Sequence, residues 1–140
     1  MNKEPIFKNS KELVDSEILQ FKGYSMFLRK DGIVQIQFEI GFEGGINEAK
    51  NMVDCIKKLS KGKPIPILVI YSDFNFFDNQ ARTYVASQEV STIVKADALV
   101  INSAGLKIIG NIYLSINKPQ RPTKIFTDEN LALKWAKQFV

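Results

Sequence analysis

The chain has 140 residues, 45% of them hydrophobic and 24% charged, with a net charge of +4. This length suits one domain that buries its own core without staples, and the composition excludes a chain disordered throughout. Histidine is absent and Cys55 is the one cysteine, which removes His-based acid–base catalysis, Ser-His triads, most zinc sites and any intrachain disulfide.

Residues 1–16 read as a polar N-terminal arm, since Pro5 argues against a central strand there. The start, Met1-Asn2-Lys3-Glu4-Pro5, is too polar for a secretory signal. No apolar run reaches membrane-spanning length. The expectation is a cytoplasmic protein with no membrane association, and residues 17–140 read as a single domain.

From residue 17 to 41 the pattern is β. Tyr24, Met26 and Leu28 alternate with Ser25, Phe27 and Arg29. Asp31-Gly32 supplies a tight hairpin turn, because glycine tolerates positive φ. Val34, Ile36, Phe38 and Ile40 then share one face; Gln35, Gln37 and Glu39 share the other. This alternation predicts a hairpin with one face on a core and one in water. Its open edge is a candidate surface for a homodimer.

A helix is predicted from Asn47, with Ala49, Met52, Val53, Ile56 and Leu59 at helical spacing. Gly62 fits the left-handed position past its end. The Lys57, Lys58, Lys61 and Lys63 group reads as a basic helix end that complements the dipole, and no nucleic-acid stripe is formed. Ile65–Tyr71 is a strand apolar on both faces. A second helix opens at Asp78 or Asn79, with Tyr84, Val85, Ala86, Val90 and Ile93 inward. Ala98–Ile101 is another buried strand. Asn102 or Ser103 caps a third helix that carries Ile108, Ile109, Ile112, Tyr113 and Ile116. Lys124–Phe126 is the last strand, and Thr127 or Asp128 caps a final helix with Leu131, Trp135, Ala136 and Phe139 inward. The order is a β-hairpin, then α, then three βα units. It predicts an α/β fold with a mixed sheet and helices packed on it.

The segments Lys30-Asp31-Gly32-Ile33, Ile109-Gly110-Asn111, Asn117-Lys118-Pro119, Pro122 through Thr127 and Ala132-Leu133-Lys134-Trp135 carry a resemblance. The chain resembles the STAS domain of sporulation anti-sigma-factor antagonists. It is more closely similar to small uncharacterised bacterial proteins with a STAS/SEC14-like, SpoIIAA-like fold. The resemblance implies a STAS-like domain, a regulatory or protein-interaction role and no catalysis. In the antagonists a phosphorylated serine opens the second helix, within a motif reading roughly Asp-Ser-Ser-Gly. Here the stretch is Asp78-Asn79-Gln80-Ala81. Amides accept no phosphate, so that switch cannot operate by that chemistry. Ser72 and Thr83, the nearest hydroxyls, are out of register.

Three groups stand out as binding candidates. Asp78, Asn79, Gln80 and Arg82 open a helix, where N–H groups and dipole favour anions; plain capping by Asp78 explains them too. Asp73 and Asn75, with Asn102 and Ser103, follow parallel strands at the end where open α/β sheets bind ligands; turn chemistry is the rival account. Phe74, Phe76 and Phe77 line either a small apolar pocket or a docking patch, or simply cover the sheet end. The expected roles are therefore a non-enzymatic interaction module with an unidentified protein partner or, alternatively, a protein that binds a small apolar or anionic ligand. No cofactor, metal or catalytic residue is expected.

Overall fold

The computed structural model describes residues 15–140; most of the arm predicted over 1–16 lies outside the described residues. Strands β1 (Leu19–Phe21), β2 (Tyr24–Leu28), β3 (Val34–Phe38), β5 (Ile65–Ile70), β7 (Val94–Val100) and β8 (Thr123–Phe126) form one six-stranded sheet in the order β1-β2-β3-β5-β7-β8. β1 to β3 are antiparallel, and β3, β5, β7 and β8 are parallel. Two further short strands, β4 (Glu43–Gly44) and β6 (Phe76–Phe77), pair in parallel by themselves. The helices are α1 (Ile46–Leu59), α2 (Asn79–Val85), α3 (Gln88–Ser91), α4 (Ala104–Ile112), continued by a π-helical turn Tyr113–Asn117, and α5 (Glu129–Ala136).

Each parallel strand is followed by its neighbour in the same direction across the sheet. Right-handed crossovers therefore put α1, α2, α3 and α4 on one face. The core on that face includes Met26, Ile36, Phe38, Val53, Ile56, Val69, Leu99 and Leu106. After β8 the chain turns to the other face, where Ala132 and Ala136 of α5 pack on Ile33, Leu68, Ala98 and Val100. β5 and β7 are thus covered on both sides, as their unbroken apolar runs predict. Pro66 sits inside β5 at a register shift against β7, which accommodates the missing N–H.

The hairpin is present, with a third strand the sequence reading did not separate. β1 pairs with β2, and the Asp15 N–H and Ser16 hydroxyl bind the Leu28 backbone. The β2 edge is therefore covered, and the sheet ends on a strand of three residues. Gly23 turns between the two strands with φ +91°, and a Cβ there would run into the Phe42 ring.

The second face of the hairpin is not left to water as the alternation suggests. Ser25, Phe27 and Gln35 are buried on it, and the Gln35 amide oxygen accepts from Arg29 at 2.7 Å while Asp31 pairs with the same guanidinium. Ile40, expected on the core face, lies beyond β3 and is exposed.

Helix boundaries differ where capping decides them. α1 starts from Gly45 with no side-chain cap, two residues ahead of Asn47. It ends with the Gly62 N–H on the Lys57 carbonyl, and the left-handed residues are Lys61 (φ 54°) and Gly62 (φ 78°) in succession. The predicted second helix breaks in two, because the Ser87 hydroxyl caps α3 afresh. On α4 the buried stripe is Leu106, Gly110 and Tyr113, while Ile108 and Ile116 are exposed. Gly110 explains the rotation: a Cβ there would stand 2.8 Å from Ile125 Cδ1, so the helix meets the sheet at its smallest residue. On α5 it is likewise Ala132, not Leu131, that faces inward.

Candidate functional site

The space between the sheet and α1, α2 and α4 is not filled. A cavity of about 120 Å³ lies there, walled by Ile36, Phe38, Val69, Leu99 and the inner faces of those helices. Native interiors leave few voids larger than a water molecule. An engineered apolar cavity of about 150 Å³ binds benzene, so this one suits a ligand of that scale. Phe76, Arg82, Val85 and Ile109 line the cavity and also reach solvent, so they mark its rim.

The cavity is polar at its β7 end, and Asn75 and Arg82 add polar groups on its loop side. Asp97 stands in the middle of β7, buried, and its carboxylate takes two hydrogen bonds from Arg121, from Nε at 2.6 Å and Nη2 at 3.2 Å. Thr123 donates to the same carboxylate at 2.9 Å, and Arg121 Nη1 donates to Ser91 at 3.0 Å. The Tyr113 hydroxyl lies against the Arg121 guanidinium, and Tyr71 is close enough to feel the Asp97 charge. Tyr71, Asp97, Tyr113 and Arg121 all line the cavity.

Burial foremost, and the Asp97 carboxylate next, raise both phenols far above their ordinary range. The unfolded chain releases these protons near pH 10, whereas the folded chain keeps them. Folding stability should therefore hold below pH 10 and then fall, by up to about 2.7 kcal/mol per pH unit for the two groups. Urea unfolding at pH 9, 10 and 11 measures it; a Tyr71→Phe/Tyr113→Phe variant with the same slope as wild type would refute it.

The predicted site residues divide. Asp78 caps α2, accepting from the Ala81 N–H at 2.8 Å, so its own carboxylate occupies the place an anion would take. Arg82 turns away from that helix start: Nη1 donates to the Phe77 carbonyl at 2.8 Å, the guanidinium lies 5.9 Å from the Phe76 ring, and Nε is buried without a partner. The Asn79 amide oxygen and the Thr83 hydroxyl both accept from Asn117 at 3.1 Å, joining α2 to the π-helical turn. Gln80 is exposed.

Asp73 and Asn102 face solvent, and Ser103 caps α4 through the Leu106 N–H. Asn75 is buried and fully engaged, accepting from the Ser72 N–H and donating to the Glu39 and Phe42 carbonyls. The Ser72 hydroxyl donates to the Phe38 carbonyl at 2.6 Å. No hydrogen bond among the described residues joins Asp73 or Asn75 to Asn102 or Ser103. Of the loop aromatics, Phe77 packs edge-on to Phe38 and Phe42, Phe76 lies at the cavity rim, and Phe74 is 80% exposed at φ 62°.

Tyr71, Asp97, Tyr113 and Arg121 escaped the sequence reading. One signal was available: Asp97 interrupts the apolar strand Val94–Val100, and a carboxylate inside a doubly covered strand requires a partner.

Among the described residues no helix is long and apolar enough to cross a membrane, and no group of His, Cys, Asp and Glu is placed to hold a metal ion. Residues 26–140 match the family described as "Domain of unknown function (DUF7793)". No curated protein matches the chain in sequence. Among solved structures, the chain is similar to a crystal structure of an uncharacterised protein from the DUF3478 family with a SpoIIAA-like fold, from Shewanella loihica PV-4. The TM-score is 0.60 at 13% identity, covering 81% of this chain and 94% of that one. The chain thus has the SpoIIAA-like, mixed-sheet α/β fold that the sequence resemblance implies.

Proposed function

The chain belongs to the DUF7793 family, a domain of unknown function, and from that premise and its own geometry we propose that it is a non-enzymatic binding protein for a small, mostly apolar ligand. The observation that carries this reading is the cavity of about 120 Å³ under the Phe76–Phe77 segment. One feature of the same walls supports the non-enzymatic reading. The Asp97 carboxylate, the acidic group that lines the cavity among the described residues, is engaged by Arg121 and Thr123 rather than held free as a general base.

Benzene is the first probe, followed through methyl NMR signals of Val69, Leu99 and Leu106. Saturable shifts confined to these methyls, with a dissociation constant near millimolar for so small a ligand, are expected. Leu106→Phe, which fills the cavity, should abolish them. Unmoved methyls in the wild type would defeat the proposal.

A second reading, a protein-interaction module, is favoured by a different observation. Ile40 and Phe74, on the loops that follow β3 and β5, are 73% and 80% exposed, and Phe76 at the start of β6 is 45% exposed. A bulky residue at positive φ, as Phe74 is, carries strain that tends to mark functional loops. Native mass spectrometry of freshly purified protein separates the two readings: a small-molecule adduct supports the first, a bound protein the second.

A further inference from the structure

Of the three arginines, two hold a carboxylate by the same edge. Arg29 holds Asp31 through Nε at 3.0 Å and Nη2 at 3.1 Å. Arg121 holds Asp97 through Nε at 2.6 Å and Nη2 at 3.2 Å. This pair of neighbouring donors is the fork that a carboxylate engages with both oxygens. Arg82 differs. Its Nη1 donates to the Phe77 carbonyl at 2.8 Å, while Nε and Nη2 make no hydrogen bond among the described residues. A buried N–H normally finds an acceptor, and the Arg82 Nε–H has none.

Arg82 also lacks a counter-charge. The ion pairs among the described residues join Arg29 to Asp31 and Arg121 to Asp97. Asp78, one helical turn earlier, directs its carboxylate to the Ala81 N–H and forms no ion pair with Arg82. Of the charged groups that line the cavity, Asp97 and Arg121 balance each other, so Arg82 leaves the lining with one positive charge. The Phe76 ring, 5.9 Å from the guanidinium, offers only a weak attraction in its place. This cation stands at the rim, and the apolar wall of Val69, Leu99 and Leu106 lies inside it.

We propose that the cavity takes a monocarboxylate whose apolar body has about six carbons, as in benzene. The carboxylate meets the Nε and Nη2 edge of Arg82 at the rim, and the body lies against Val69, Leu99 and Leu106. Solvent does not reach Nε as the side chains stand, so the exposed Phe76 ring beside the guanidinium turns aside as the ligand seats. One unpaired cation matches one negative charge, whereas a phosphate monoester carries nearly two. This inference rests on the ligand-binding reading given above.

The experiment compares benzoate with benzamide and benzamidinium, which share one shape and are negative, neutral and positive in turn. Binding is read from the same cavity methyls. Benzoate should bind about tenfold more tightly than benzamide, the margin of a charge-assisted over a neutral hydrogen bond, and benzamidinium should bind more weakly than either. Arg82→Gln should erase the preference for benzoate. In the wild type the Arg82 Nε–H proton should also move downfield as benzoate is added, a readout that depends on no variant. If benzamide or benzamidinium binds as tightly as benzoate, if Arg82→Gln keeps the preference, or if the Nε–H proton stays in place, this inference falls, while saturable benzene binding keeps the ligand-binding reading standing. If neither benzene nor any of the three moves the methyls, the ligand-binding reading itself falls.

Discussion

Asp97→Leu is expected to remove about 3–5 kcal/mol of folding stability, because it leaves the Arg121 guanidinium buried with no counter-charge. The arginine side chain is only 5% exposed, and Asp97 only 4%. Ser91 remains as an acceptor for Nη1, but it cannot neutralise a full charge. The loss should lower the melting temperature by roughly 10–20 °C in a chain of this length. Replacing both partners, Asp97→Leu with Arg121→Met, should recover most of the loss, since an apolar pair of similar volume avoids desolvating either charge. The two residues touch, so the coupling between the substitutions is large and a double-mutant cycle in urea measures it directly. A single-variant loss under about 1 kcal/mol would mean that water reaches the pair and screens it, as at exposed ion pairs. The contrast also bears on function. A pair that an apolar substitute replaces without loss is retained for some other reason than stability, and its place in the cavity wall beside Tyr71 and Tyr113 offers one.

The sheet was readable because each strand announced its environment. Ile67-Leu68-Val69-Ile70 is apolar on both faces and is covered on both faces. The helix caps at Asp78, Ser103 and Asp128 were readable for the same local reason, as each side chain meets the N–H groups one turn ahead of it. The misreadings share one cause, which is that local pattern does not report close approach. Periodicity placed Ile108 and Ile116 inward, yet α4 meets the sheet through Gly110, where the helix comes nearest to Ile125. Likewise α5 approaches through Ala132 and Ala136 and turns Leu131 out. Strands β1, β4 and β6 have three, two and two residues, too few for alternation to register. The cavity was least legible of all. A void is a mismatch of volumes between elements far apart in sequence, and of the residues singled out only Asn75, Phe76, Phe77 and Arg82 line it.

Phe38→Ala should cost about 3–5 kcal/mol, as removal of a buried phenylalanine usually does. Phe38 is 2% exposed and is the hub of the aromatic cluster at the end of β3. It stacks on Phe42 with ring centres 5.5 Å apart, and it meets Phe77 at 5.1 Å, Tyr71 at 5.3 Å and Tyr24 at 6.2 Å. Offset and edge-on pairs of this kind add to the energy of burial, so the cost belongs in the upper part of that range unless the neighbouring rings collapse inward. Urea unfolding decides this; a loss under about 1.5 kcal/mol would indicate such a collapse. The same substitution tests where the cavity ends. Phe38 is part of its wall, so the space vacated by the ring should join the existing space and accept more apolar volume. A ligand that binds only the folded state stabilises it in proportion to the logarithm of its concentration over its dissociation constant. Toluene, larger than benzene by one methyl group, should therefore raise the melting temperature of Phe38→Ala by more than it raises that of the wild type. An equal rise in both would place the vacated space apart from the site, and the aromatic cluster would then be packing alone rather than one wall of a binding cavity.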